Sequence, residues 1–409
     1  MKRLLACALL LQLSAYATPN PGDILPPWSE GCLDIHHIHT GQGESTFFIL
    51  PDGTTMLVDA GVVGANRNAL LAHPPVPDAS RAPGEWIARY INRAIQPLPK
   101  KILNYVMLSH FHSDHLGLVG KDTKKSAIGD YLASGLTEVA DHIPFEKFID
   151  RSWSADDTGT ERLYKGSMMQ NYKKFLAWQR RHKGMEIERF KVGVNDQIVL
   201  RNNPAKYPGF EIRNIAAGGI VWTGRGTAAR NALEGSPEAD ITENKLSIAF
   251  RLSYGPFKYF TGGDLSSPHL ETAPPEATWM DIETPVAQAT GPVDVMKAGH
   301  HAYIDSNNVG LLRNLRPRVI VVQTWEAFHA SPNVMSRMRS QRVYPGPRDI
   351  FITGLMEMGA AMNRVKPEQA SGHIVIRVAP GGNEYTVYRL TDADESNRIK
   401  AVSGPYQSK

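Results

Sequence analysis

Cysteine is nearly absent from this chain: Cys7 and Cys32 are the two among 409 residues. A surplus of charge is missing as well, with 45 basic against 41 acidic residues. That near-balance gives no electrostatic case for nucleic acid as the main partner. Beyond the first residues no stretch approaches the roughly 18 uninterrupted apolar positions that a membrane-spanning helix needs. Internal repeats and low-complexity tracts are also lacking, which excludes a solenoid or a biased linker protein. What is present is ordinary: 42% hydrophobic and 21% charged residues, with 35 Gly and 28 Pro. The chain can therefore bury a large core and is neither disordered nor collagenous. Its length suits two or three domains, or one large core carrying insertions.

The N-terminus reads as an export signal. Lys2 and Arg3 precede a largely apolar run from Leu4 to Leu13, and Ala15-Tyr16-Ala17 supplies an A-x-A cleavage site. Cleavage after Ala17 removes two bases and no acid, and leaves Cys32 alone, so no intramolecular disulfide can form. The expected destination is the periplasm or the exterior. Leu4-Leu5-Ala6-Cys7 also resembles a lipoprotein box, but only three residues stand before it and the apolar run continues past Cys7. The expected organisation is a signal peptide at 1–17, a Pro-rich linker at 18–30, a single large domain at 31–392 and a tail at 393–409.

Strand-like patterns cover 33–39, 46–50 and 54–59, the last two joined by Pro51-Asp52-Gly53. Residues 62–84 carry several Pro and no period. In 85–95, Trp86, Ile87, Tyr90, Ile91, Ala94 and Ile95 fall at helical spacing. A short apolar run at 102–108 stops at Ser109-His110-Phe111-His112, so a strand delivers histidines into a loop. Residues 161–183 look helical, and their bases read as a solvated face. Strands are expected at 197–200, 246–254, 258–261, 293–296, 318–323, 350–353, 373–378 and 384–389, with helices near 309–315 and 333–341. A β-rich half followed by a mixed half suits two sheets packed together under helices.

Ser109-His110-Phe111-His112-Ser113-Asp114-His115 puts four candidate metal ligands within six residues, directly after a buried strand. Imidazole and carboxylate are common ligands of zinc and similar ions, and alternating side chains in an extended turn can converge. The plain alternative, a polar loop rich in histidine, needs three of 14 histidines to meet an aspartate by chance. Two other strands end alike, at Gly262-Gly263-Asp264 and at Lys297-Ala298-Gly299-His300-His301. Each alone is weak, since a strand followed by Gly and Asp is commonly a turn.

Taken together, the H-x-H-x-D-H loop, the later Gly-Asp and the final Gly-His-His resemble the metallo-β-lactamase superfamily, in the branch of the ComEC hydrolase domain and the phosphorylcholine esterases. His39-Thr40-Gly41-Gln42-Gly43-Glu44-Ser45 resembles that branch's opening loop, and Val58-Asp59-Ala60-Gly61 and Asn244-Lys245-Leu246-Ser247 resemble further motifs, in the family's order. The resemblance spans about 33–389. It implies an α/β fold, an αββα sandwich of two mixed β-sheets flanked by helices, with two divalent ions at one sheet edge, zinc with manganese as the alternative. His110 and His112 would bind one ion, Asp114, His115 and His301 the other, and Asp264 would bridge them. Asp114 would also orient the attacking water, and His300 would contact the substrate or donate a proton. An exchange of roles between His300 and His301 stays open. Asp59 would orient the histidine loop, or serve as a plain turn residue.

Two departures from the family pattern stand out. The histidine that in many members completes the first ion has no clear counterpart, because only His142 and His182 lie in that interval. His39 stands where an acid is frequent, and Ala302-Tyr303 follow the paired histidines where glycine is frequent. Both changes are expected near the pocket. The implied activity is metal-dependent hydrolysis of a small-molecule or polymer ester, with a phosphodiester first and a carboxylic ester, lactone or β-lactam second. A non-catalytic binding module on the same fold is the competing class.

Overall fold

The computed structural model describes residues 19–64, 71–153, 166–267, 280–366 and 370–409. The export signal at 1–17 and residues 161–165 of the expected helix lie outside these.

The first half opens with three strands, β1 (Leu33–His37), β2 (Thr46–Ile49) and β3 (Thr55–Val58), followed by α1 (Pro83–Ala94), β4 (Leu103–Met107), α2 (Ser113–Leu116), α3 (Leu136–His142), β5 (Phe145–Asp150), α4 (Ser167–Lys183) and β6 (Glu186–Arg189). Next come β7 (Phe210–Ala217), β8 (Ile220–Trp222), β9 (Ala229–Asn231), β10 (Ala249–Tyr254) and β11 (Phe257–Thr261). The remainder runs α5 (Glu283–Thr290), β12 (Val295–Lys297), α6 (Val309–Leu315), β13 (Val319–Val322), α7 (Pro332–Arg339), β14 (Asp349–Ile352), α8 (Glu357–Asn363), β15 (His373–Val378), β16 (Glu384–Leu390) and β17 (Ile399–Gln407).

Among the described residues these strands form two mixed sheets. One has the order β17-β16-β15-β1-β2-β3-β4-β5-β6 and the other β14-β13-β12-β11-β10-β7-β8-β9. Alternation along each strand sorts the side chains into layers. Ile35, Phe48, Met56 and Tyr105 from the first sheet meet Phe250, Leu252 and Tyr259 from the second in a shared core. The opposite faces carry Phe47, Leu57 and Val106 under α1, α3 and α4, and Met296, Ile320 and Val322 under α5, α6 and α7. Both faces of each sheet are thus covered, which is why β2, β3, β4 and β13 read as apolar runs rather than as alternating strands. This is the αββα sandwich that the resemblance implies.

The expected strand at 197–200 does not form. The Tyr105 hydroxyl donates to the Val199 carbonyl (3.0 Å) and accepts from its N–H (3.2 Å), so a side chain takes the place of a ladder partner. Ile198 and Leu200 are buried at the end of the inter-sheet core. The expected strand at 246–254 begins only at Ala249, because 244–246 turn as a 3-10 helix and a bulge separates Ala249 from Phe250. The supposed tail is structural: β17 pairs antiparallel with β16 at the sheet edge. The 18–30 segment is tied to it, with the Gly22 N–H donating to the Ile399 carbonyl (2.8 Å) and Leu25 buried against Tyr388 and Ile399.

Candidate metal centre

Three strand ends converge at one edge of the sandwich. After β4 the chain enters the histidine loop, after β11 it turns through Gly262 and Gly263 into Asp264, and after β12 it makes a left-handed turn through His300, His301 and Ala302 (φ 44°, 51° and 56°). Ala302 thus occupies a conformation that favours glycine.

The loop is clamped from below. The Glu44 N–H donates to the Asp114 carbonyl (2.8 Å), Ala60 N–H to the His115 carbonyl (2.9 Å) and Val62 N–H to the Ser113 carbonyl (3.0 Å). The contact is so close that a Cβ on Gly61 would lie 1.6 Å from the Asp114 carbonyl oxygen, and one on Gly43 2.7 Å from it. Both glycines of the matched motifs therefore exist to let backbone approach backbone.

Asp59 is fully buried at φ 61°. Its carboxylate accepts from the Ser109 N–H (2.7 Å), the Ser109 hydroxyl (2.6 Å) and His115 Nδ1 (2.8 Å). This turns His115 Nε2 inward, to 3.1 Å from Asp264 Oδ2. On the other side His301 Nδ1 donates to the Gln323 carbonyl (3.0 Å), which aims its Nε2 at Asp114 Oδ2 (3.0 Å) and Asp264 Oδ2 (3.3 Å). His110 Nε2 sits 3.9 Å from the same Asp264 oxygen and 3.0 Å from His112 Nδ1. Three histidines, His110, His115 and His301, thus face one oxygen of Asp264, with Asp114 against His301 and His112 against His110.

Burial opposes ionisation of Asp114 and Asp264, yet His115 and His301 hold both carboxyls well below the usual range. Burial likewise opposes the charge on His301, and Asp264 and Asp114 overcome it and raise its pKa to about 10. His115 is raised by Asp264, Asp59 and Asp114 in the same way. The two carboxylates thus call for positive charge at this point.

A donor set for a cation is therefore in place. Buried ligand atoms of Glu44, His115, Asp264 and His301 lie within 4.8 Å of one another. Among the described residues Asp264 Oδ1 is buried with no hydrogen-bond partner, a costly condition for a polar atom that a cation would relieve. Mixed imidazole and carboxylate donors fit zinc or manganese.

His300 is placed differently. Its Nδ1 pairs with Asp305 Oδ1 (2.6 Å) and its Nε2 faces Asn244 Nδ2 (3.2 Å). It lines a cavity of about 560 Å³ together with His112, Asp114, Asp264 and His301. Leu118, Val119, Met168 and Met169 give that cavity an apolar wall, and Tyr303, Trp325 and His329 a ring-lined one. His301, not His300, is the histidine brought to the carboxylates.

Sequence reading missed several neighbours. Lys297 donates to both oxygens of Glu44 (2.6 Å each) and to the Gly263 carbonyl (3.0 Å), all beneath the centre. Trp325 Nε1 donates to Asp114 Oδ2 (3.1 Å). Glu44 and Lys297 stood inside quoted motifs, but nothing local linked residues 253 positions apart. His39 does not line the cavity, contrary to expectation; it pairs with Asp392 (2.8 Å) and its N–H donates to His373. Tyr303, the other departure, does line it. His142 is exposed at the end of α3, and exposed His182 stacks on Trp178, so neither joins the site.

No family model matches this chain, and no curated protein matches it. Among solved structures, a candidate metal-dependent hydrolase from Parabacteroides distasonis aligns at 12% identity and a TM-score of 0.34, over 81% of this chain and all of that one. The zinc-bound PqqB of Methylobacterium extorquens aligns at 10% identity and a TM-score of 0.35, over 68% of this chain and 76% of that one.

Proposed function

We propose that this protein is a metal-dependent hydrolase of the metallo-β-lactamase type, exported from the cell and acting on an ester. The observation that carries the reading is the convergence of His110, His115 and His301 on Asp264 Oδ2, with His112 and Asp114 beside them. In this reading His110, His112 and Asp264 hold one divalent ion, and Asp114, His115, His301 and Asp264 the other. Bound there, divalent ions would supply Lewis-acid chemistry, lowering the pKa of a water and polarising the scissile bond. Asp59 fixes the direction of His115, and Gln323 that of His301. Asp114, partly open to the cavity, is placed to orient the nucleophile. His300, held by Asp305, is placed to contact the leaving group.

A phosphate ester is the first substrate class, on the resemblance to the ComEC and phosphorylcholine esterase branch. The apolar wall of Leu118, Val119, Met168 and Met169 favours a carboxylic ester or lactone as the second. Among the described residues no helix is long and apolar enough to cross a membrane. Export rests on the N-terminal pattern, and sequencing of the functional protein should find Thr18 at or near its start. Metal analysis tests the centre: close to two ions per chain are expected, and Asp264→Ala should lower occupancy of both. Two fully retained ions in that variant would remove Asp264 from the bridge. A screen of phosphodiester and carboxylic ester substrates then separates the two classes, and inactivity on both with metal bound would leave a binding module.

A further inference from the structure

His329 belongs to no motif read from the sequence, yet it lies in the wall of the same cavity. We propose that His329 binds substrate, its Nε2–H donating a hydrogen bond to a phosphoryl or acyl oxygen of the ester; this rests on the hydrolase reading above.

Three observations lead there. The ring is 4% exposed, so its polar atoms are out of bulk water. Nδ1 accepts from the Trp325 N–H (3.2 Å) and lies 3.4 Å from the Glu326 nitrogen. A ring nitrogen that accepts from backbone carries no proton, so the proton sits on Nε2. Finally, the ring stacks flat on His301, with centroids 4.4 Å apart and planes at 18°. That fixes its direction beside the carboxylates. Nε2 has Glu326 Oε1 at 3.9 Å, beyond hydrogen-bond range. The loop thus spends Nδ1 on locking a ring that lines the cavity, and Nε2–H remains for a substrate oxygen. A donor so oriented, in a water-poor wall, suits an oxygen that gains negative charge during ester cleavage.

The test separates the lock from the donor. In His329→Asn the amide oxygen takes the place of Nδ1 and keeps the backbone contacts, while the donor is withdrawn. In His329→Gln an amide N–H reaches the place of Nε2, while the lock is lost. Affinity of the zinc-loaded proteins for inorganic phosphate is measured by calorimetry, alongside zinc content and KM for an ester. His329→Asn should bind phosphate about tenfold or more weakly, as expected for a lost hydrogen bond to a charged acceptor, with zinc content unchanged and KM raised. His329→Gln should keep affinity within about threefold. His329→Phe, which preserves the stacking face and removes both nitrogens, should match the Asn variant and serves if that one fails to fold. The reverse ranking of Asn and Gln, zinc loss in His329→Asn, or no phosphate binding by zinc-loaded wild type would each overturn the proposal. Wild-type protein that binds zinc and phosphate but cleaves no ester would instead sink the hydrolase reading, and the phosphate ranking would still decide His329.

Discussion

The ion pair beneath the metal centre offers the sharpest test of the electrostatic reasoning. Lys297 and Glu44 are 1% and 2% exposed, and the ammonium contacts both carboxylate oxygens at 2.6 Å and the Gly263 carbonyl at 3.0 Å. Removing one partner strands a charge in the interior, which costs about 3–5 kcal/mol, whereas replacing both with neutral groups of similar size is far less harmful. Unfolding entropy of about 2.1 cal/mol/K per residue, taken over 409 residues, gives roughly 0.9 kcal/mol/K. Lys297→Met or Glu44→Gln should therefore lower the melting temperature of the chelator-treated protein by about 4–6 °C. The double variant should recover more than half of that loss. Thermal unfolding is followed without metal so that ligand binding does not mask the effect. Because Glu44 Oε2 lies 3.6 Å from His301 Nδ1 and Lys297 holds the turn before Asp264, both single variants should also bind zinc more weakly. A shift under about 1 °C in both single variants, or a double variant no more stable than the worse single one, would refute the argument.

Other expectations follow from the same contacts. Gly61→Ala should destabilise by about 3 kcal/mol or more and deplete metal, because its Cβ would meet the Asp114 carbonyl at 1.6 Å; Gly120→Ala, with nothing within 4 Å, is the silent control. His301→Ala should lose metal and activity together, while His300→Ala should keep metal and slow turnover by about 10²–10⁴-fold. The opposite pattern in metal content would exchange the two roles. Burial pushes the Glu283 carboxyl from its ordinary 4.5 up to about 8, against the N–H groups of Asn308 and Asn307 and the Ser267 hydroxyl. The native state then holds that proton more tightly than the unfolded chain. Stability should fall as pH rises from about 4.5 to about 8, by up to about 1.4 kcal/mol per unit. Denaturant unfolding across this range should show a flatter profile for Glu283→Gln, and an unchanged slope would reject the assignment.

Much of the fold was written locally. β2, β3, β4 and β13 are largely apolar because both sheet faces are covered, and that pattern is visible in a window of five residues. β15 and α6 fall where period and length put them. The ligand types of the centre were also local, since each sits in a cluster at the end of an apolar run. What failed was the middle third and the C-terminus. There β7 and β8 combine half-buried with buried positions, β9 is exposed throughout, β17 mixes exposed and buried positions without a clean period, and an apolar pair at Ile198 and Leu200 joins the core instead of a sheet.

Sequence alone determined that strands would deliver histidines and carboxylates to their ends, because backbone period and turn chemistry act over a few residues. Only the tertiary structure decided which nitrogen of each histidine faces Asp264, since Asp59 and Gln323, which set those directions, lie 56 and 22 residues from the rings they orient. The same holds for Lys297 under Glu44 and for His329 against His301. Such contacts form only once two sheets have packed face to face, and a side chain carries no local mark of the partner that packing will bring to it.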